Sequence, residues 1–137
     1  MNGKRRFSYI EIIVMAIMLG AAVRMIAPQF TEASNEEGRI SELIDALETM
    51  RTQVDLYRVQ HKNILPPVDS FATFETAMTT KLGRYGPYIR RIPTNPFNGL
   101  NTVRFNGEPA GADKAGWRLD TKTGSFQADN DAACAAL

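Results

Sequence analysis

The 137 residues suffice for one modest domain, so any division of labour must fall between segments of a single core. Sixteen lysines and arginines against fifteen aspartates and glutamates give a net charge of +1, which excludes the strong positive field of a nucleic-acid binder and leaves no nucleic-acid partner implied. One cysteine, Cys134, and one histidine, His61, offer neither an intrachain disulfide nor a zinc cluster.

The chain opens with the basic stub Met1 to Arg6, carrying Lys4, Arg5 and Arg6, and runs into the apolar stretch Phe7 to Ala27. As a helix, those 21 residues would measure about 31 Å, near the thickness of a bilayer's hydrocarbon core. With the stub cytoplasmic by the positive-inside rule, the expectation is a single-pass inner-membrane protein with its C-terminal head in the periplasm. Residues 31–137 hold 12 basic and 14 acidic side chains, so their charge does not oppose export. The expected division is a leader at 1–6, the anchoring half of a helix at 7–30, and a head at 31–137 that includes the helix's amphipathic half.

Glu11 and Arg24 interrupt the apolar stretch and leave 12 uninterrupted apolar residues between them, about 18 Å of helix. Arg24 can reach the interface with its long stem. A carboxylate in lipid costs about 2.5–3.5 kcal/mol on insertion scales, so Glu11 demands a partner. A cleaved signal peptide with Gly20-Ala21-Ala22 as its small-residue site is one alternative, and a plain anchor is another. Neither accounts for Glu11.

Lys4-Arg5-Arg6 followed by Phe7-Ser8-Tyr9-Ile10-Glu11-Ile12 resembles the class III signal of type IV prepilins and type II secretion pseudopilins. Pro28 and Phe30 stand at the spacing from Phe7 where that family carries a helix-kinking proline and an aromatic residue. The resemblance implies cleavage before Phe7 and methylation of the new amino terminus by a prepilin peptidase. Glu11 would then pair with the amine of a neighbouring subunit, a charge tolerated in low dielectric only when paired. Phe7, Glu11, Pro28 and Phe30 are therefore the expected assembly residues, and Arg6 and Phe7 the processing site. The family places glycine before the phenylalanine; Arg6 stands there instead, leaving open whether the chain is cut or stays whole with Arg6 beside Glu11.

Beyond Thr31, Ile40, Leu43, Ile44, Leu47, Met50, Val54 and Tyr57 recur at steps of three and four, the pattern of a one-sided helix reaching about His61. Pro66-Pro67 is expected to turn the chain. Ser70 to Leu82 reads as a second helix capped by Ser70, with Phe71, Phe74, Met78 and Leu82 on one face. The proline-punctuated Tyr88 to Gly99 resembles the loop joining helix to sheet in major pseudopilins. Thr102 to Phe105, Gly116 to Asp120 and Ser125 to Ala128 read as strands with Trp117, Leu119, Phe126 and Ala128 inward. Asn106 to Ala115 is expected to be an exposed contact loop. The expected fold is α+β and type IV pilin-like: a long kinked N-terminal helix with a small antiparallel sheet head.

Asp129, Asn130 and Asp131 could offer oxygens to calcium, which the resemblance makes the one cofactor to consider, although no bidentate glutamate or glycine-bearing ligand loop accompanies them. His61 lacks a neighbouring nucleophile and no phosphate-binding loop is present, so no catalytic residue is expected and the chain reads as a structural protein rather than an enzyme. The resemblance implies a type II secretion pseudopilus subunit, or one of a related pilus-like filament, that assembles through its N-terminal helix to drive export. Implied partners are further copies of itself, other pseudopilins, an inner-membrane assembly platform and the peptidase. The competing expectation is an anchored or signal-peptide-exported periplasmic binding module that forms no filament.

Overall fold

The computed structural model describes the backbone from Tyr9 and the side chains from Ser34 onward. The chain divides into two units, Met1–Gly38 and Arg39–Leu137. Helix α1, Tyr9–Gln60, contributes to both. The second unit holds the rest of the fold: α2 (Phe71–Thr79), β1 (Val103–Phe105), β2 (Trp117–Leu119), β3 (Phe126–Ala128) and the short α3 (Ala132–Ala135).

Within that unit, Leu43, Leu47, Met50 and Val54 fall on one side of α1 and are buried, as their spacing requires. Ile40 and Ile44, at the rim of the same stripe, stay about a third exposed at 36% and 37%. The helix stops before the prolines: Lys62 and Asn63 adopt left-handed backbone, and the Asn63 N–H returns to the Arg58 carbonyl at 2.7 Å. Ser70 caps α2 by accepting the Thr73 N–H at 3.2 Å. Phe74 and Met78 of α2 reach the core, whereas Leu82 lies beyond the helix end and is exposed.

The sheet has the order β1-β2-β3, with β1 parallel to β2 and β2 antiparallel to β3. Val103, Trp117, Leu119, Phe126 and Ala128 close the core against α1 and α2. The Trp117 indole N–H donates to the Pro93 carbonyl at 2.8 Å and ties the proline loop to the sheet.

Two expectations are thereby corrected. The described chain is α+β, but its sheet is mixed, so the type IV pilin-like fold with an antiparallel head does not hold. The cause is the connection 106–116, too long for a hairpin turn, which crosses back so that β2 starts beside the beginning of β1. The kink expected at Pro28 lies outside the described side chains. Second, among the described residues no helix is long and apolar enough to cross a membrane, which overturns the expected single-pass inner-membrane anchor with a periplasmic head. The side chains of residues 7–30, where the anchor was expected, lie outside those described; the described turns of α1 carry Glu36, Glu37, Arg39, Glu42, Asp45, Glu48, Arg51, Asp55 and Arg58, a density of charge that lipid does not tolerate.

Candidate functional site

β3 delivers Asp129 to the interior directly after Ala128. Its side chain is 0% exposed and meets Arg104 of β1 as a two-pronged ion pair, Nε to Oδ2 at 2.7 Å and Nη2 to Oδ1 at 2.6 Å. The same carboxylate accepts the backbone N–H groups of Gly111, Ala112, Lys114 and Ala115 at 3.1–3.3 Å. Arg104 completes its donors on the carbonyls of Asn106, Glu108 and Pro109 at 2.8–2.9 Å. One ion pair thus fastens the whole 106–115 crossover. Burial pushes the Asp129 carboxyl up, but the Arg104 hydrogen bond and charge, with the Ala115 and Ala112 N–H groups, outweigh it and hold the carboxyl below its ordinary value. The hydrogen bond that Arg104 donates to Asp129 raises Arg104 in turn.

This geometry refines one sequence expectation and corrects another. The 106–115 segment is strapped down along its length, while Gly107, Glu108, Pro109, Asp113 and Lys114 stay exposed. Asp129 has both oxygens committed to a cation and four N–H groups, leaving no lone pair for calcium. Asp131, the other calcium candidate, caps α3: Oδ1 accepts the Cys134 N–H at 2.8 Å, and that bond lowers its carboxyl. Among the described residues there is no group of three or more metal-ligating side chains.

Arg118 lies between Trp117 and Leu119, so strand alternation turns it to the opposite face of the sheet. That face is covered as well, and the residue is only 8% exposed. A cleft of about 430 Å³ opens there between the crossover, at Pro109 and Ala110, and α3, at Ala132 and Ala135, with Arg118, Asp120 and Gln127 in its lining. Arg118 reaches Gln127 Oε1 at 3.4 Å and Asp120 Oδ2 at 3.3 Å, both long, and its buried Nε has no partner. Asp120 is anchored through Oδ1, which accepts the N–H groups of Lys122 and Thr123 and lowers its carboxyl.

The outer surface separates its charges. Arg39 turns onto the Pro96 and Phe97 carbonyls and lies 4.6 Å from the Phe97 ring centre. Arg51 donates to the Phe126 carbonyl, and Arg58 lies 3.5 Å from Asp55. Withdrawal of these cations leaves Glu42, Asp45 and Glu48 exposed along α1 without an ion pair among the described residues. Between Glu75 and Glu108 the sequence has no acidic residue, and Lys81, Arg84, Arg90 and Arg91 are likewise exposed and unpaired among the described residues. A groove of about 440 Å³ is lined by one member of the acidic set and two of the basic set, with Asp45, Ala46 and Thr49 from α1 and Ile89, Arg90 and Arg91 from the loop.

His61 stacks on Tyr57 with ring centres 3.9 Å apart and donates from Nδ1 to the Tyr57 carbonyl, so it belongs to an aromatic cluster with Tyr85 and Tyr88 rather than to bare surface. Cys134 is buried on α3. Of the residues expected to process or assemble the chain, Arg6 and Phe7 lie outside the described residues, and Glu11, Pro28 and Phe30 lie outside the described side chains. Sequence reasoning passed over Arg104 and Arg118. The available signal was a connection too long for a hairpin, followed by Asp131 heading the small-residue run Ala132-Ala133-Cys134 as a helix cap.

No protein-family model, no curated protein and no solved structure matches the chain.

Proposed function

We propose that the chain is a self-associating structural subunit, of the kind that builds a type II secretion pseudopilus or a related export filament, with heads that join through opposite charges. The observation that supports this reading most is the charge separation around the Asp45–Arg91 groove. Every arginine on the described part of α1 is drawn onto its own fold, leaving Glu42, Asp45 and Glu48 unpaired among the described residues, with Asp45 lining the same groove as the unpaired Arg90 and Arg91. A second copy that sets its basic loop against the acidic helix face neutralises both. If that contact does not close on itself, it repeats from copy to copy, and an open stack results. The N-terminal resemblance supplies the same expectation from the other end of the chain through Glu11.

The test is sedimentation of the full chain and of two charge-reversed variants, Arg90→Glu with Arg91→Glu, and Glu42→Lys with Asp45→Lys. Each variant alone is expected to lose association, and an equimolar mixture of the two to regain it. Association of the unaltered chain is expected to weaken as salt rises from 0.01 M to about 0.15 M, where the screening length falls to about 8 Å. A chain that stays monomeric throughout, or variants that associate as well as the parent, would remove the reading.

A further inference from the structure

Two arginines of the described structure, Arg58 and Arg118, have a buried Nε without a partner, and Arg118 is the more enclosed of the two. Arg104, its neighbour across the parallel register, places its guanidinium on five partners at 2.6–2.9 Å. Arg118 is more enclosed, its side chain 10% exposed against 17% for Arg104, yet has only two contacts, at 3.3 and 3.4 Å, and an unpartnered buried Nε. A buried cation this poorly held is costly, and such an arrangement persists where something else completes it. What it opens on is the cleft of about 430 Å³, whose other walls are the small residues Pro109, Ala110 and Ala135, so the space beside the guanidinium is left unfilled.

The cleft is also built to keep its shape. Gly111 has a φ of +95°, and a Cβ there would stand 2.6 Å from the Ala132 nitrogen, so the crossover is seated directly on the start of α3. Gln127 Nε2 donates to the Ala135 carbonyl at 3.1 Å and fixes α3 to β3 from the other side. Neither wall needs to move to admit a ligand.

Charge selects the ligand. Arg118 and Asp120 line the same open cleft with opposite charges, so a simple anion meets Arg118 but is repelled by Asp120, and a simple cation meets Asp120 but is repelled by Arg118. A molecule that carries a carboxylate next to an ammonium meets both side chains and keeps the site neutral. We propose that the cleft binds a small aminocarboxylate, such as a free α-amino acid, with its carboxylate on Arg118 and its ammonium on Asp120 and with Gln127 as an additional amide contact. This goes beyond the assembly reading and stands whether or not the heads associate.

The experiment is an NMR titration of the full chain with L-alanine, acetate and methylammonium, observing the Arg118 Nε–H and the backbone amides of Gly107 and Ala135. Alanine is expected to shift all three signals at concentrations about tenfold below those at which either single-charge probe does, as two charge-assisted contacts against one require. Asp120→Asn keeps the acceptor for Lys122 and Thr123, so its amide spectrum should stay native. In that variant the alanine response should weaken about tenfold and the acetate response strengthen, because the site then carries a net positive charge. Arg118→Lys should lose bidentate recognition and respond to neither. The proposal is overturned if acetate equals alanine on the parent chain, if no probe moves the Arg118 signal, or if Asp120→Asn leaves the preference for alanine unchanged.

Discussion

Replacing Asp129 by alanine removes one side chain and disconnects six donors. Arg104 keeps its charge with no counter-ion, and the N–H groups of Gly111, Ala112, Lys114 and Ala115 lose their common acceptor. Breaking a buried ion pair from one side costs about 3–5 kcal/mol. Arg104 retains 17% side-chain exposure and can recover some hydration as the loop opens, which sets the expected loss near the lower end, about 3 kcal/mol. Against the roughly 5–15 kcal/mol of a typical domain, that is a large share. Urea denaturation followed by circular dichroism reads the loss as a lower midpoint. Asp129→Asn, which still accepts some of the N–H groups but sets an amide against the guanidinium, should fall between parent and alanine variant. The pH dependence follows the same bond. Because the folded carboxyl is held below its unfolded value of about 3.9, the unfolded chain takes up the proton more readily. The stabilisation is therefore complete above that pH and is lost as the pH falls through the folded value. Asp129→Asn should flatten this acid limb. An alanine variant within about 1 kcal/mol of the parent would refute the claim that this carboxylate holds the crossover.

Three further outcomes follow from the packing. Leu47→Ala empties a position 1% exposed in the centre of the α1 stripe and should cost about 2–5 kcal/mol by denaturant titration. Gly111→Ala forces a Cβ against the Ala132 backbone at a left-handed φ, so about 1–3 kcal/mol should be lost, together with the amide protection of residues 111–115 in hydrogen exchange. Burial, with repulsion from Tyr57 and Tyr85, raises the Tyr88 phenol, so tyrosinate absorbance should show a group ionising above the ordinary value of about 10. Its neutral form is favoured in the folded state, so this contribution to stability is full below the unfolded value and is lost as the pH rises through the folded one; Tyr88→Phe should remove the step.

Periodicity carried most of the secondary structure. Leu43, Leu47, Met50 and Val54 are spaced for one helix face and are buried; Trp117 and Leu119, Phe126 and Ala128 alternate as strands and face the core. Ser70 announced the start of α2, because a capping hydroxyl is a local feature that the sequence displays directly. Strand direction is not local. Whether β2 runs with or against β1 depends on where eleven loop residues travel, and that route is set by Arg104 and Asp129, 25 positions apart. Alternation places Trp117 and Leu119 on the core face, but it does not reveal that α3 and the crossover cover Arg118 on the opposite face. Asp129 and Asp131 looked alike as neighbouring acids; one became a buried anchor and the other a helix cap, a difference set by distant partners. Helix α1 ends at Gln60, close to the expected His61, because Lys62 and Asn63 adopt left-handed backbone ahead of Pro66-Pro67.

The dependence of the crossover on Asp129 also orders events in time. During synthesis Arg104 and the residues it spans emerge first, and nothing can fix them until β3 has been made and has paired with β2. The cleft beside Arg118 needs α3 as well, so it is the last part of the head to acquire its shape. A nascent chain halted before residue 129 would carry the α1 core residues and both earlier strand sequences, yet leave the crossover without its acceptor, a ready target for proteolysis.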